Sequence, residues 1–206
     1  MDVRKYTGLA LLGVAGLWQL GILLHAPRYV LSDGRPTWAE LRDPTGKASA
    51  LESRLGLVAE FIAGRPVGVR CEDLGDVDDG DEPGGVVRFS GDEPANYARI
   101  RLDICAELRQ VVRDGGAGGA PEARATEVLA HESFHLRGVE DEAAAECYAV
   151  QFIPLVARGL RATNANARLF HDLALRAYPY HPPAYLSPDC RPGGALDLHG
   201  SLARAG

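Results

Sequence analysis

A chain of 206 residues has room for one ordinary domain and an appendage, not for two full enzymes. Hydrophobic residues make up 46% and charged residues 24%, which excludes both a disordered tail and a polytopic membrane protein. With 22 basic against 28 acidic residues the net charge is -6, and there is no long basic run. That argues against a nucleic-acid partner, which would be held by clustered Lys and Arg on phosphates.

Residues 7–25, TGLALLGVAGLWQLGILLH, carry no charged side chain before His25. At roughly 1.5 Å per residue such a helix just spans a hydrocarbon core of about 30 Å. Arg4 and Lys5 precede it, so the positive-inside rule sets the N-terminus in the cytoplasm. The following HAPRYVLSDG offers no clear A-x-A cleavage site. The expected organisation is a cytoplasmic stub and transmembrane signal anchor over 1–28 and a polar linker over 29–45. An extracytoplasmic domain then fills 46–206, making a single-pass protein of a bacterial cell membrane.

Residues 48–63 place Leu51, Leu55, Val58 and Ile62 three and four apart, the period of an amphipathic helix. β-like runs follow at 67–71, 85–90 and 98–104. Between the first two, EDLGDVDDGDE carries seven acids in eleven residues. It lacks the D-x-D-x-D-G register of a calcium loop and reads as a solvated hairpin loop. A short helix is expected at 106–113, a Gly-rich loop at 114–121, and further helices at 122–138 and 166–178. His171 in the last of these reads as a surface residue. The tail YPYHPPAYLSPDCRPGGALDL is rich in Pro and Tyr and reads as irregular chain packed over the domain.

Cys71, Cys105, Cys147 and Cys190 are even in number, lie on the expected outer side and form no C-x-x-C pair. Two disulfides in an oxidising compartment are the simpler reading, and of the three connectivities Cys71 with Cys105 and Cys147 with Cys190 is preferred.

The chemistry is concentrated in HESFH, residues 131–135. A spacing of four puts His131 and His135 on one helix face, one turn apart, where both imidazoles can bind a single zinc ion. Glu132 projects about 100° around the helix, placed to act on water as the general base of a metallohydrolase. A catalytic zinc needs a third protein ligand and an open position. Asp141 would complete H-E-x-x-H-x-x-G-x-x-D, which resembles the metzincin pattern with Asp for the third His. Metzincins also carry a downstream Met-turn, and the one methionine here is Met1. Glu142 opens EAAAECYA, in which Glu142 and Glu146 stand four apart on one helix face. Cys147 lies about 140° from Glu142 around that helix and is left to a disulfide. Pro154 is expected to kink or interrupt the helix.

HESFH together with E-x-x-A-x-x-Y-A at 142–149 resembles the gluzincin branch of the zincin metallopeptidases, in particular the small bacterial minigluzincins. The wider phrase is also similar to a group of actinobacterial secreted or membrane-anchored proteins. The likeness covers about 25 residues, from His131 to Pro154. It implies zinc on His131, His135 and Glu142, with Glu146 orienting a ligand histidine through its free ring N–H, His131 being the expected client. Gluzincins have a longer excursion than the six residues between His135 and Glu142, so 138–141 must form a tight turn, and Asp141 and Glu146 stay open as third ligands.

The expected fold is therefore α+β: a single N-terminal transmembrane helix followed by a small zincin-like domain, a short sheet packed on helices. The strand at 98–104 is expected to run along the cleft and pair with an extended peptide. The expected activity is zinc-dependent hydrolysis of extracytoplasmic proteins or peptides with Glu132 as base. Tyr178, Tyr180, His181, Tyr185 and His199 are candidates to hydrogen-bond an oxyanion. The rival reading is a disulfide-stapled interaction domain with a structural zinc or no metal.

Overall fold

The computed structural model describes residues 48–74 and 84–198, all within one compact unit. The expected anchor, the linker, the acidic loop from residue 75 onward and His199 lie outside the described residues. Among the described residues no helix is long and apolar enough to cross a membrane.

The architecture is mixed α and β, a small sheet laid on helices. Helix α1 (Ala50–Ala63) opens with a capping box, in which Ser49 Oγ accepts from the Glu52 N–H and the Glu52 carboxylate accepts from the Ser49 N–H. It buries Leu55, Val58, Ala59 and Ile62, as its period requires. Strand β1 (Gly68–Glu72) follows, then β2 (Gly85–Val86). A ribbon of β3 (Phe89–Ser90) and β4 (Glu93–Pro94) leads into β5 (Tyr97–Arg101). The three-stranded sheet has the order β1-β5-β2, with β1 parallel and β2 antiparallel to β5.

Two expectations change here. The run at 98–104 is cut short because α2 (Leu102–Asp114) begins at Leu102, earlier than the expected 106. Strand β5 is also the middle of the sheet, flanked on both sides, so it is not the strand with an edge to offer a peptide.

Helix α3 (Ala120–Leu136) runs through the centre of the domain and touches α1, α2, β2 and β5. Its start is fixed by Glu122, whose carboxylate accepts from the N–H groups of Ala117, Gly118 and Gly119. Its end is tied to the end of α1 by a reciprocal pair of arginines. Arg65 Nε donates to the Leu136 carbonyl at 3.0 Å, and Arg137 donates to the Ile62 carbonyl at 2.8 Å. These bonds satisfy carbonyls that a helix C-terminus leaves without partners.

A tight turn follows, with Gly138 at φ 101 in the left-handed region that favours glycine. Helix α4 (Glu142–Gly159) packs back against α3 and continues through Pro154 without a break, so the interruption expected as one alternative to a kink does not occur. Helix α5 (Asn164–Ala177) then covers α3 and α4, with Phe170 fully buried. Two short 3-10 turns, Tyr178–Tyr180 and Pro183–Tyr185, carry the tail over α4. The disulfides are Cys71–Cys105, joining β1 to α2, and Cys147–Cys190, joining α4 to the tail, the pairing expected from the sequence.

Candidate metal centre

The antiparallel packing of α3 on α4 brings the two histidines of one helix against the first residue of the other. His131 Nε2 and His135 Nε2 lie 2.9 Å apart, and Glu142 Oε2 lies 3.0 Å from the first and 3.3 Å from the second. In a tetrahedral zinc site with bonds of about 2.0–2.1 Å, ligand atoms stand about 3.3 Å from one another. The triangle is close to that size.

The outer nitrogens decide what the triangle can hold. His135 Nδ1 lies 2.6 Å from the Val139 carbonyl, which can only accept, so Nδ1 carries the proton. His131 Nδ1 lies 2.7 Å from Glu146 Oε2 and donates to it. A neutral ring protonated at Nδ1 presents a lone pair at Nε2. Two such lone pairs and a carboxylate oxygen then face one another, and this arrangement needs a cation among them.

With no metal the cation is a proton. Burial pulls the His131 imidazole down, but hydrogen bonds with the Glu142 and Glu146 carboxylates outweigh it and push the ring up to about 10. Burial likewise works against the Glu142 anion, yet the His131 and His135 bonds hold it down at about 2. A divalent ion on the same three atoms would take the proton's place and release it. The donor set of two imidazoles and a carboxylate fits zinc, with Glu142, whose side chain is 44% exposed, marking the open side.

The other candidates for third ligand are occupied elsewhere. Asp141 is the N-cap of α4, its Oδ1 accepting from the Ala144 N–H at 2.7 Å. Cys147 is in its disulfide. Glu146 uses both oxygens on imidazoles, Oε2 on His131 and Oε1 on His181 Nδ1 at 2.9 Å. Burial opposes its charge, but those bonds hold it at about 2. Glu146 thus bonds the outer ring nitrogen of His131, the histidine with which the sequence pairs it.

Glu132 stands beside the triangle in a fully buried place, where burial pushes its carboxyl up to about 7 despite the opposing pull of His131 and His135. Its Oε2 is buried with no hydrogen-bond partner. Strand β2 presses on it: a Cβ on Gly85 would fall 2.7 Å from Glu132 Cγ and 2.9 Å from Oε1. Glycine at 85 is therefore required by close approach, not by an unusual backbone angle.

Aromatic rings wall the site, Phe89 edge-on to His135 at 6.0 Å and Tyr185 tilted over His131 at 5.6 Å. Of the expected oxyanion candidates, Tyr185 comes to the triangle, and His181 reaches Glu146 instead. The Tyr178 hydroxyl accepts from the Ser187 N–H, and Tyr180 is exposed. His171 on α5 belongs to neither group of ligand-type side chains.

Sequence reasoning missed the Val139 carbonyl, Gly85 and Glu127. Glu127 could have been found, since it lies one further turn back on the His131–His135 face. The carbonyl and the glycine carry no side-chain signal. No protein-family model matches the chain, and no curated protein or solved structure matches it either.

Proposed function

We propose that this chain is a zinc-dependent peptidase of gluzincin type, tethered by residues 7–25 to the outer face of a membrane and acting on proteins or peptides there. The observation that carries the reading is the triangle of His131, His135 and Glu142, with both outer ring nitrogens committed as donors and a buried carboxyl with a free oxygen at its side. Zinc on those three residues supplies a Lewis acid for a peptide carbonyl and lowers the pKa of water toward 7 or so.

The protein does the rest. Glu146 and the Val139 carbonyl hold the two imidazoles in the tautomer that offers Nε2. Glu132 takes a proton from the attacking water and delivers it to the leaving amine, with its buried, unpartnered Oε2 as the accepting atom. Phe89 and Tyr185 flank the reacting space and exclude bulk water from it. With Asp141, Cys147 and Glu146 all spent, no fourth side chain from that set closes the site, which favours catalysis over a structural zinc.

The test is elemental mass spectrometry of the full chain after zinc reconstitution, with peptide-library hydrolysis beside it. The intact chain retains zinc, and His135→Ala loses about one ion per chain. Glu132→Gln keeps its zinc and loses about 10²- to 10⁴-fold in turnover. Zinc that stays bound with no hydrolysis affected by Glu132→Gln would leave an anchored interaction domain instead.

A further inference from the structure

One turn along the same helix pair lies a second convergence of ligand-type side chains. Glu127 stands four residues before His131 on α3, and Glu146 stands four residues after Glu142 on α4. Because the helices are antiparallel, those two positions face each other as His131, His135 and Glu142 do. The tail adds His181, and ligand atoms of Glu127, Glu146 and His181 all lie within 4.8 Å of one another. His181 Nδ1 is 2.9 Å from Glu146 Oε1.

Burial makes this group unusual. Glu127 and Glu146 are 5% and 4% exposed, and between them stand the half-buried His181 and, on the other Glu146 oxygen, His131. Glu127 Oε1 is buried and has no hydrogen-bond partner, which leaves one oxygen of this group orphaned in the interior. A metal ion would give that oxygen a partner.

We infer that Glu127, Glu146 and His181 form a second divalent-cation site, linked to the first through the Glu146 carboxylate, whose other oxygen holds His131. Two carboxylates and one imidazole suit a first-row ion such as Zn²⁺ or Mn²⁺. Calcium, which takes six to eight oxygens, and copper(I), which takes sulfur, fit less well. The ion would fasten the tail to the helix pair at His181 and fix the residue that orients His131.

Zinc stoichiometry of the full chain, measured after reconstitution with Zn²⁺ alone, separates this inference from the peptidase reading. About two ions are expected in the intact chain, with one lost in His181→Asn, one lost in Glu127→Gln and one lost in His135→Ala. Glu127→Gln is isosteric and His181 is on the tail, so circular dichroism matching the intact chain confirms that each loss is local. A single ion that survives Glu127→Gln and His181→Asn but is lost in His135→Ala overturns the second site and leaves the first standing. A single ion with the opposite pattern supports the second site and sinks the first. No zinc at all overturns both.

Discussion

The α3–α4 pair supplies all three atoms of the ligand triangle from regular helix, whereas the walls around the triangle come from short strands and 3-10 turns. On the helices a four-residue repeat sets the spacing, and backbone hydrogen bonds hold it before any ion arrives. The walls have no such repeat. They depend on a missing Cβ at Gly85 and on the Cys147–Cys190 cross-link. On the proposed reading, metal holding and water handling are thus built by different means, and mutations should separate them.

The widest separation is expected from Gly85→Ala. Its new methyl meets Glu132 first, a residue outside the ligand triangle, so turnover should fall about 100-fold while zinc content stays unchanged. Zinc loss in that variant would show that β2 supports the ligands too. Next comes the pH response of the chain held in chelator. His131 is raised to about 10, so its contribution is full below the ordinary histidine range and is lost as pH climbs through 10. Glu127 is pushed up to about 8, first by burial and then by Glu146, and Glu132 to about 7. Each of these keeps its proton in the fold after an unfolded carboxyl has lost it, so both cost stability as pH rises from about 4.5. All three act in one direction, and the metal-free Tm should drop by more than about 5 °C between pH 5 and 10. A flat profile would refute the proton in the triangle.

A smaller effect is expected from Cys190→Ser, which unfastens the tail. His181 and Tyr185 then reach the site only through their own contacts, and zinc affinity should weaken about 10-fold in chelator competition. The smallest is Ser49→Ala. It removes one cap at the far end of α1 and should cost about 1 kcal/mol in denaturant unfolding without moving zinc content or turnover.

What could be read from the sequence follows the same division. The helices were legible because Leu51, Leu55, Val58 and Ile62, or His131 and His135, repeat at the helical period, and the Glu142–Glu146 pair likewise. Asp141 was weighed as a ligand because spacing alone cannot tell a capping carboxylate from a coordinating one. Strand β5 was given an edge role because order along the chain does not reveal sheet order, and β1 and β2 enclose it. Of a kink or an interruption at Pro154, the interruption does not occur: the helix passes through with buried Ile153 and Val156 on either side, so packing outweighs the lost N–H bond.

His135 is the last residue but one of α3, and terminal turns of helices are where backbone hydrogen bonds open most often. A ligand placed there would ordinarily sample geometries in which the triangle is broken. The crossed arginines remove that freedom: fraying of α3 would have to strip Arg65 from Leu136 and Arg137 from Ile62 together, pulling at the end of α1 as well. Local opening at His135 is thereby coupled to a second helix. Amide exchange in the 133–137 turn should accordingly run at the pace of the domain core rather than of a helix end.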